Sequence, residues 1–250
     1  TFVCLHGQPT WSYLHRRIVP VFLQAGCRVV APDWFGFGRS DKPALDEAYT
    51  FTFHRRTLTA FLDRMALSDV CLAVQDWGGL LGLTAPKDYP SITRLLVMNT
   101  GLGVGRSPGA GFDAWKAYSA SRPDLAVGAL MKRATPHLTE AEAAAYDAPF
   151  PDASYKAGVR RFPELVPVRP DMDGAAEGLA SARFLKDAWS GESFMAVGVA
   201  DPVLGPPVMA ALRATIRGCP EPMMIEDAGH FVQEWGEPIA KAALKHWALE

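Results

Sequence analysis

The sequence predicts an α/β protein in which a doubly wound, mostly parallel sheet is covered by helices on both faces and carries an inserted helical cap. Three observations lead there. Six short apolar runs, Phe2–Leu5, Val29–Ala31, Val70–Val74, Leu95–Met98, Phe194–Val199 and Met223–Ile225, have the length and continuity of strands buried on both faces. Longer amphipathic stretches separate them, and strand–helix alternation implies parallel strands joined by right-handed crossovers. From about Gly101 to about Asp187 the alternation stops, and Ala-rich pieces punctuated by Pro and Gly replace it. Residues 1–100 and 188–250 are therefore expected to form the core, and residues 101–187 the cap.

Phe2–Leu5 ends at the turn His6-Gly7-Gln8-Pro9. It begins at the first residues, with no Met and no preceding edge strands, so the chain reads as a fragment. A central strand at an open sheet edge is a configuration natural proteins avoid. Val29–Ala31 runs into Pro32-Asp33-Trp34-Phe35-Gly36, and Val70–Val74 runs directly into Gln75-Asp76-Trp77-Gly78-Gly79 and a helix. Within the cap, Thr139-Glu140-Ala141-Glu142 is a capping box that opens a helix, and Pro163, Pro167 and Pro170 mark an extended return. The last two strands lead into Ala200-Asp201-Pro202 and Asp227-Ala228-Gly229-His230. In a parallel sheet, reactive side chains belong at these C-terminal strand ends.

Composition narrows the function classes. The chain has 250 residues, 49% of them hydrophobic, and a net charge of −2, which suits one sizeable core and a small uncharged substrate. Its basic residues cluster no further than the pairs Arg16-Arg17, Arg55-Arg56 and Arg160-Arg161, so there is no footprint for nucleic acid or an anionic membrane. No run approaches the ~18 apolar residues of a membrane span. Cys4, Cys27, Cys71 and Cys219 are scattered without metal-ligand spacing and read as buried free thiols. A soluble, cytoplasmic, monomeric protein is expected.

The chemistry centres on Asp76. A strand-to-helix turn followed by glycines is where such sheets present a nucleophile, and no G-x-S-x-G occurs in the chain. A carboxylate that displaces a leaving group from saturated carbon forms an ester, which water can open. A serine would form an ether with no carbonyl to attack. Taken alone, Asp76 could equally be a helix N-cap. The order nucleophile, acid, base shifts the balance: Asp201 follows the fifth strand and His230 the sixth, where an acid would orient a base. Asp201 could also be a simple turn residue. The backbone N–H groups of Gln8 and Trp77 are placed to form an oxyanion hole. His6 reads as a structural loop residue. The indole of Trp77 is a donor without an acceptor beside the nucleophile, suited to a departing anion. Trp115, on composition, reads as core packing, as do Trp11, Trp34, Trp189, Trp235 and Trp247.

These residues resemble the haloalkane dehalogenases, a family of α/β-hydrolases, and within them the subfamily typified by the 1,2-dichloroethane dehalogenase. The resemblance runs through His6-Gly7-Gln8-Pro9-Thr10-Trp11-Ser12, Pro32-Asp33-Trp34-Phe35-Gly36-Phe37-Gly38, Gln75-Asp76-Trp77-Gly78-Gly79, Gly111-Phe112-Asp113-Ala114-Trp115-Lys116 and Asp227-Ala228-Gly229-His230-Phe231-Val232-Gln233-Glu234, and covers nearly the whole chain. It implies Asp76 as nucleophile, His230 as base, Asp201 as acid, and Trp77 with Trp115 as the halide-binding pair, which reverses the packing reading of Trp115. It also implies a substrate pocket that includes Leu80 and Phe112, a small haloalkane and water as substrates, halide as a product, and no cofactor or metal. Two departures stand out: Gln8 replaces the Glu or Asn of the family, and Leu80 replaces a Phe. The family's first strands are absent.

An epoxide hydrolase shares the Asp nucleophile and His base and would use cap tyrosines, for which Tyr118, Tyr146 and Tyr155 are candidates. Gln75, where that family usually shows His, and Trp115 speak against it. A non-catalytic ligand-binding relative is the third reading, and the complete Asp76, Asp201, His230 set speaks against that.

Overall fold

A computed structural model describes residues 1–249 and contains a six-stranded sheet: β1 (Phe2–Leu5), β2 (Val29–Val30), β3 (Val70–Asp76), β4 (Ile92–Thr100), β5 (Glu192–Gly198) and β6 (Met223–Ile225). The order is β2-β1-β3-β4-β5-β6 and every pair is parallel. The two-residue period of a strand divides the apolar runs between two cores. Val3, Leu5, Leu72, Val74, Leu95 and Val97 pack on the cap side. Phe2, Cys4, Cys71, Ala73, Leu96 and Met98 pack on the other, against Phe22 of α1 (Val19–Gln24) and Ile239, Ala240 and Ala243 of α10 (Gly236–His246). Because both faces are covered, the strands read as continuous rather than alternating hydrophobic runs.

β4 is longer than its apolar run suggests. Arg94 is tolerated at its start because its guanidinium reaches Asp69 at 2.7 Å and Glu192 at 3.1 Å. At its end the register shifts: Gln75 pairs with Met98 but Asp76 with Thr100, so Asn99 is the extra residue of a bulge. The helix α2 (Phe51–Met65) begins at Thr50, whose side chain accepts from the Phe53 N–H. The short α3 (Trp77–Gly82) follows β3 without a linker.

Five helices lie between β4 and β5: α4 (Ala110–Ala120), α5 (Val127–Ala134), α6 (Glu140–Asp147), α7 (Ala157–Leu165) and α8 (Ala175–Asp187). The capping box opens α6 as expected, with Thr139 and Glu142 bonding each other's backbone N–H. Pro163 departs from expectation. It sits inside α7 rather than in an extended segment, which begins only at Val166. The helix continues through the proline because its other residues pack, Phe162 and Val159 being fully buried. α8 lies against the core: Glu177 pairs with Arg55 and Lys87, each at 2.9 Å. The helix α9 (Pro206–Thr215) precedes β6. Cys4 and Cys71 are buried, Cys27 and Cys219 only partly so, and all four are free thiols. Among the described residues no helix is long and apolar enough to cross a membrane.

Candidate active site

A strained backbone turn lies between β3 and α3. Asp76 has φ +49° and ψ −123°, a conformation costly for a residue with a Cβ, and its side chain caps no helical N–H. The N-cap alternative therefore falls, because the carboxylate points away from its own helix. The bend is carried by Asp76 itself; the glycines that follow serve close approach. A Cβ on Gly78 would lie 1.9 Å from the Leu5 carbonyl oxygen, so only glycine lets α3 cross the end of β1. Thr100 secures the turn, its hydroxyl donating to the Asp76 carbonyl at 2.6 Å.

The loop after β1 meets the carboxylate: the Gln8 N–H donates to Asp76 Oδ1 at 2.8 Å. The Trp77 N–H makes no corresponding bond to the carboxylate among the described residues. On the other side, His230 Nε2 lies 3.6 Å from Asp76 Oδ2, and its Nδ1 lies 2.8 Å from Asp201 Oδ2. Since a carboxylate only accepts, Nδ1 carries a hydrogen toward Asp201, and Nε2 faces Asp76 and the cavity. Asp201, from the loop after β5, is buried and fully engaged. Its Oδ2 also accepts from Asn99 Nδ2 at 2.9 Å, and its Oδ1 from the Val203 N–H at 2.8 Å. Burial alone would raise its carboxyl, but the His230 charge and these donors hold it below the usual carboxylate range. Burial also disfavours charge on His230, yet Asp201 and then Asp76 outweigh it and push the ring up to about 10.

The side chain of Gln8 has a partner that explains Pro163. Its Nε2 donates to the Val159 carbonyl at 2.9 Å. Residue 163 would normally donate to that carbonyl within the helix, but proline has no N–H. The proline thus frees a carbonyl of α7 for the loop after β1, and the Gln8 side chain is the type that can use it. His6 has the structural role expected of it: it is buried, and its Nε2 accepts from the Trp34 N–H at 3.0 Å.

Asp76, Trp77, His230 and Gln8 open into a cavity of about 670 Å³ between sheet and cap, whose wall also includes Leu80, Phe112 and Trp115. Three other indoles are occupied by protein acceptors: Trp11 by the Ala145 carbonyl, Trp34 by that of His6 and Trp189 by Ser193 Oγ. Those of Trp77 and Trp115 have no acceptor among the described residues and border the cavity. Of the three cap tyrosines, Tyr118 lines this cavity, whereas Tyr146 bonds Glu234 and Tyr155 is exposed. No group of three or more His, Cys, Asp or Glu side chains is arranged to hold a metal ion among the described residues.

Two participants escape a reading of the sequence, Asn99 and Gln75. Gln75 Nε2 sits 3.0 Å from both His230 Nε2 and the His230 carbonyl. Their one visible signal is polarity inside otherwise apolar strand ends.

Residues 1–237 match the α/β hydrolase fold family. Haloalkane dehalogenase 1 of Mycobacterium tuberculosis is 42% identical over 237 residues, which is 93% of this chain and 78% of that protein. The haloalkane dehalogenase of Psychrobacter cryohalolentis is 40% identical over 95% of this chain and 80% of its own length. Among solved structures, a tetrameric haloalkane dehalogenase from Paraglaciecola agarilytica superimposes with a TM-score of 0.95 at 49% identity, covering 98% of this chain and 82% of that one.

Proposed function

The chain belongs to the haloalkane dehalogenases of the α/β-hydrolase fold, and from that premise we propose how its residues divide the hydrolysis of a carbon–halogen bond into two steps. The observation that carries the proposal is the convergence of Asp76, His230 held by Asp201, and two unsatisfied indoles on one apolar cavity. In the first step Asp76 Oδ2 attacks the halogen-bearing carbon in line. An O–C bond forms, the C–halogen pair leaves with the halide, and the N–H groups of Trp77 and Trp115 receive the anion. In the second step Nε2 of His230 takes a proton from water, and the hydroxide adds to Cγ of the ester. The Gln8 N–H, already on Oδ1, holds the oxyanion, with the Trp77 N–H as its partner. Collapse breaks the Cγ–Oδ2 bond, and the alkoxide leaves as alcohol with the proton from His230. None of these steps calls on a cofactor.

The charge pattern supports this order. Two carboxylates favour the imidazolium in the free enzyme, but alkylation converts Asp76 into a neutral ester, so one of the two supports disappears when a base is needed. A cavity of about 670 Å³ lies in the range that holds drug-sized ligands. With Leu80 in its wall, we assign it haloalkanes from two-carbon ones up to longer and bulkier ones. The four free thiols support a reducing, cytoplasmic setting. The tetrameric relative bears on assembly: light scattering tests the monomer expected from the sequence, and a mass near four chains overturns it.

The test is bromide release and acidification on mixing the protein with 1,2-dibromoethane, beside a styrene oxide control. Wild type is expected to turn over bromide repeatedly and to leave the epoxide closed. His230→Ala should release one bromide per site and retain an alkylated Asp76 peptide; Asp76→Ala should release none. Equal turnover by both variants contradicts the scheme.

A further inference from the structure

Gln75 is fully buried, at the last position of β3 before the nucleophile, and among the described residues its amide bonds only His230. Its Nε2 lies 3.0 Å from the His230 carbonyl oxygen, which can only accept, so that end of the amide is the NH2 group. The second N–H then points to His230 Nε2, also at 3.0 Å. In the neutral ring that acts as a base, the hydrogen is on Nδ1 against Asp201, and Nε2 has its lone pair free to accept that N–H. The orientation has a cost: Gln75 Oε1 is buried with no hydrogen-bond partner among the described residues. A buried amide with a purely structural role would satisfy its carbonyl. Turning it over would set Oε1 against the His230 carbonyl oxygen and leave the NH2 group without a partner among the described residues.

We propose that Gln75 is a positioning residue for the catalytic base, a two-pronged donor that fixes the His230 ring and holds Nε2 unprotonated so that it can accept the proton of the hydrolytic water. The reason is donor–acceptor parity. Neutral His230 accepts the Gln75 N–H, whereas imidazolium would set an N–H against an N–H. Gln75 therefore opposes the groups that favour the cation. Those groups are Asp201 at Nδ1 and Asp76, 3.6 Å from Nε2. The uncharged ring of Phe231 packs at 5.0 Å, and farther along the same cavity wall stand Asp227, Arg106 and Arg133. Once Asp76 is an ester, Asp201 and Gln75 remain in contact with the ring, one favouring charge and the other resisting it.

The inference rests on His230 being the base, so its test is made on the free protein, with no substrate. The ring nitrogens of labelled histidine are followed by NMR as a function of pH in wild type, Gln75→Met and Gln75→Glu, with His230→Ala to assign the signal. Gln75→Met keeps the volume and removes both donors; the His230 midpoint is expected to rise by about one pH unit. Gln75→Glu is isosteric, adds an acceptor, and should raise it further. In parallel, steady-state turnover of 1,2-dibromoethane should fall about tenfold in both variants while the first bromide per site is still released. A His230 midpoint unmoved in both variants, in proteins that melt like wild type, overturns the inference. Failure of the wild type to release bromide counts against the dehalogenase reading and leaves the titration to decide Gln75.

Discussion

Asp201 makes three hydrogen bonds, of which His230 supplies one; Asn99 Nδ2 and the Val203 N–H supply the others. Asn99 also accepts from the Gly198 N–H at 2.7 Å and donates to the Gly198 carbonyl at 3.0 Å, which ties the ends of β4 and β5 together beneath Asp201. Replacing Asn99 with Leu keeps the volume and removes every one of these contacts. Leaving buried partners unmet costs about 1–3 kcal/mol, so a drop in melting temperature should accompany a fall in turnover of about tenfold. Turnover that is unchanged at lowered stability would confine Asn99 to folding. The order Asp76, Asp201, His230 was legible in the sequence because each residue follows its own apolar run. Asn99 was not, because its place depends on a register shift between neighbouring strands, which separates Asp76–Thr100 from Gln75–Met98. Gln75 was hidden for a related reason: its partner is 155 positions away and is reached only once β6 joins the sheet.

At the scale of elements, the short strands and the capping box at Thr139 were legible, since period and cap chemistry are local. Pro163 was not, because proline inside a helix is decided by the packing of its neighbours. Its consequence is testable. Pro163→Ala restores an N–H that competes with Gln8 for the Val159 carbonyl. The helix itself should become more stable, while Gln8 loses its anchor and turnover drops several-fold. Equal kcat/KM in the variant would show that the Gln8 side chain needs no cap partner. A second tie between cap and core is Glu234, which accepts from Arg16 at 2.6 Å and Arg17 at 3.0 Å and meets Tyr146 of α6. It lies four residues beyond His230, so the loop that carries His230 is clamped to α6.

For the whole molecule the buried histidines set the response to acid. His15 and His54 are enclosed, their ring nitrogens have no hydrogen-bond partner among the described residues, and burial pushes both down to about 3. Their unfolded value is about 6.5, so the unfolded chain binds more protons between these limits. The stability they contribute is complete above pH 6.5 and is lost as pH falls toward 3, at the level of a few kcal/mol. His230 acts in the opposite sense: raised to about 10, its contribution is complete below pH 6.5 and fades as pH rises through 10. Thermal melts should therefore be highest near neutrality, with a steep acid limb that His54→Phe makes shallower. A melting temperature flat from pH 7 to pH 5 contradicts this. The doubly covered sheet that encloses these residues was legible from the apolar runs.

In the proposed hydrolysis it is Asp76, and not water, that displaces the halide. One turnover in oxygen-18 water, with enzyme in excess over 1-bromohexane, tests it directly. Attack by Asp76 predicts unlabelled hexanol and a peptide containing Asp76 heavier by one oxygen-18 atom, because water attacks Cγ and the alcohol departs with Oδ2. Labelled alcohol from an unlabelled enzyme contradicts it and leaves Asp76 as a general base.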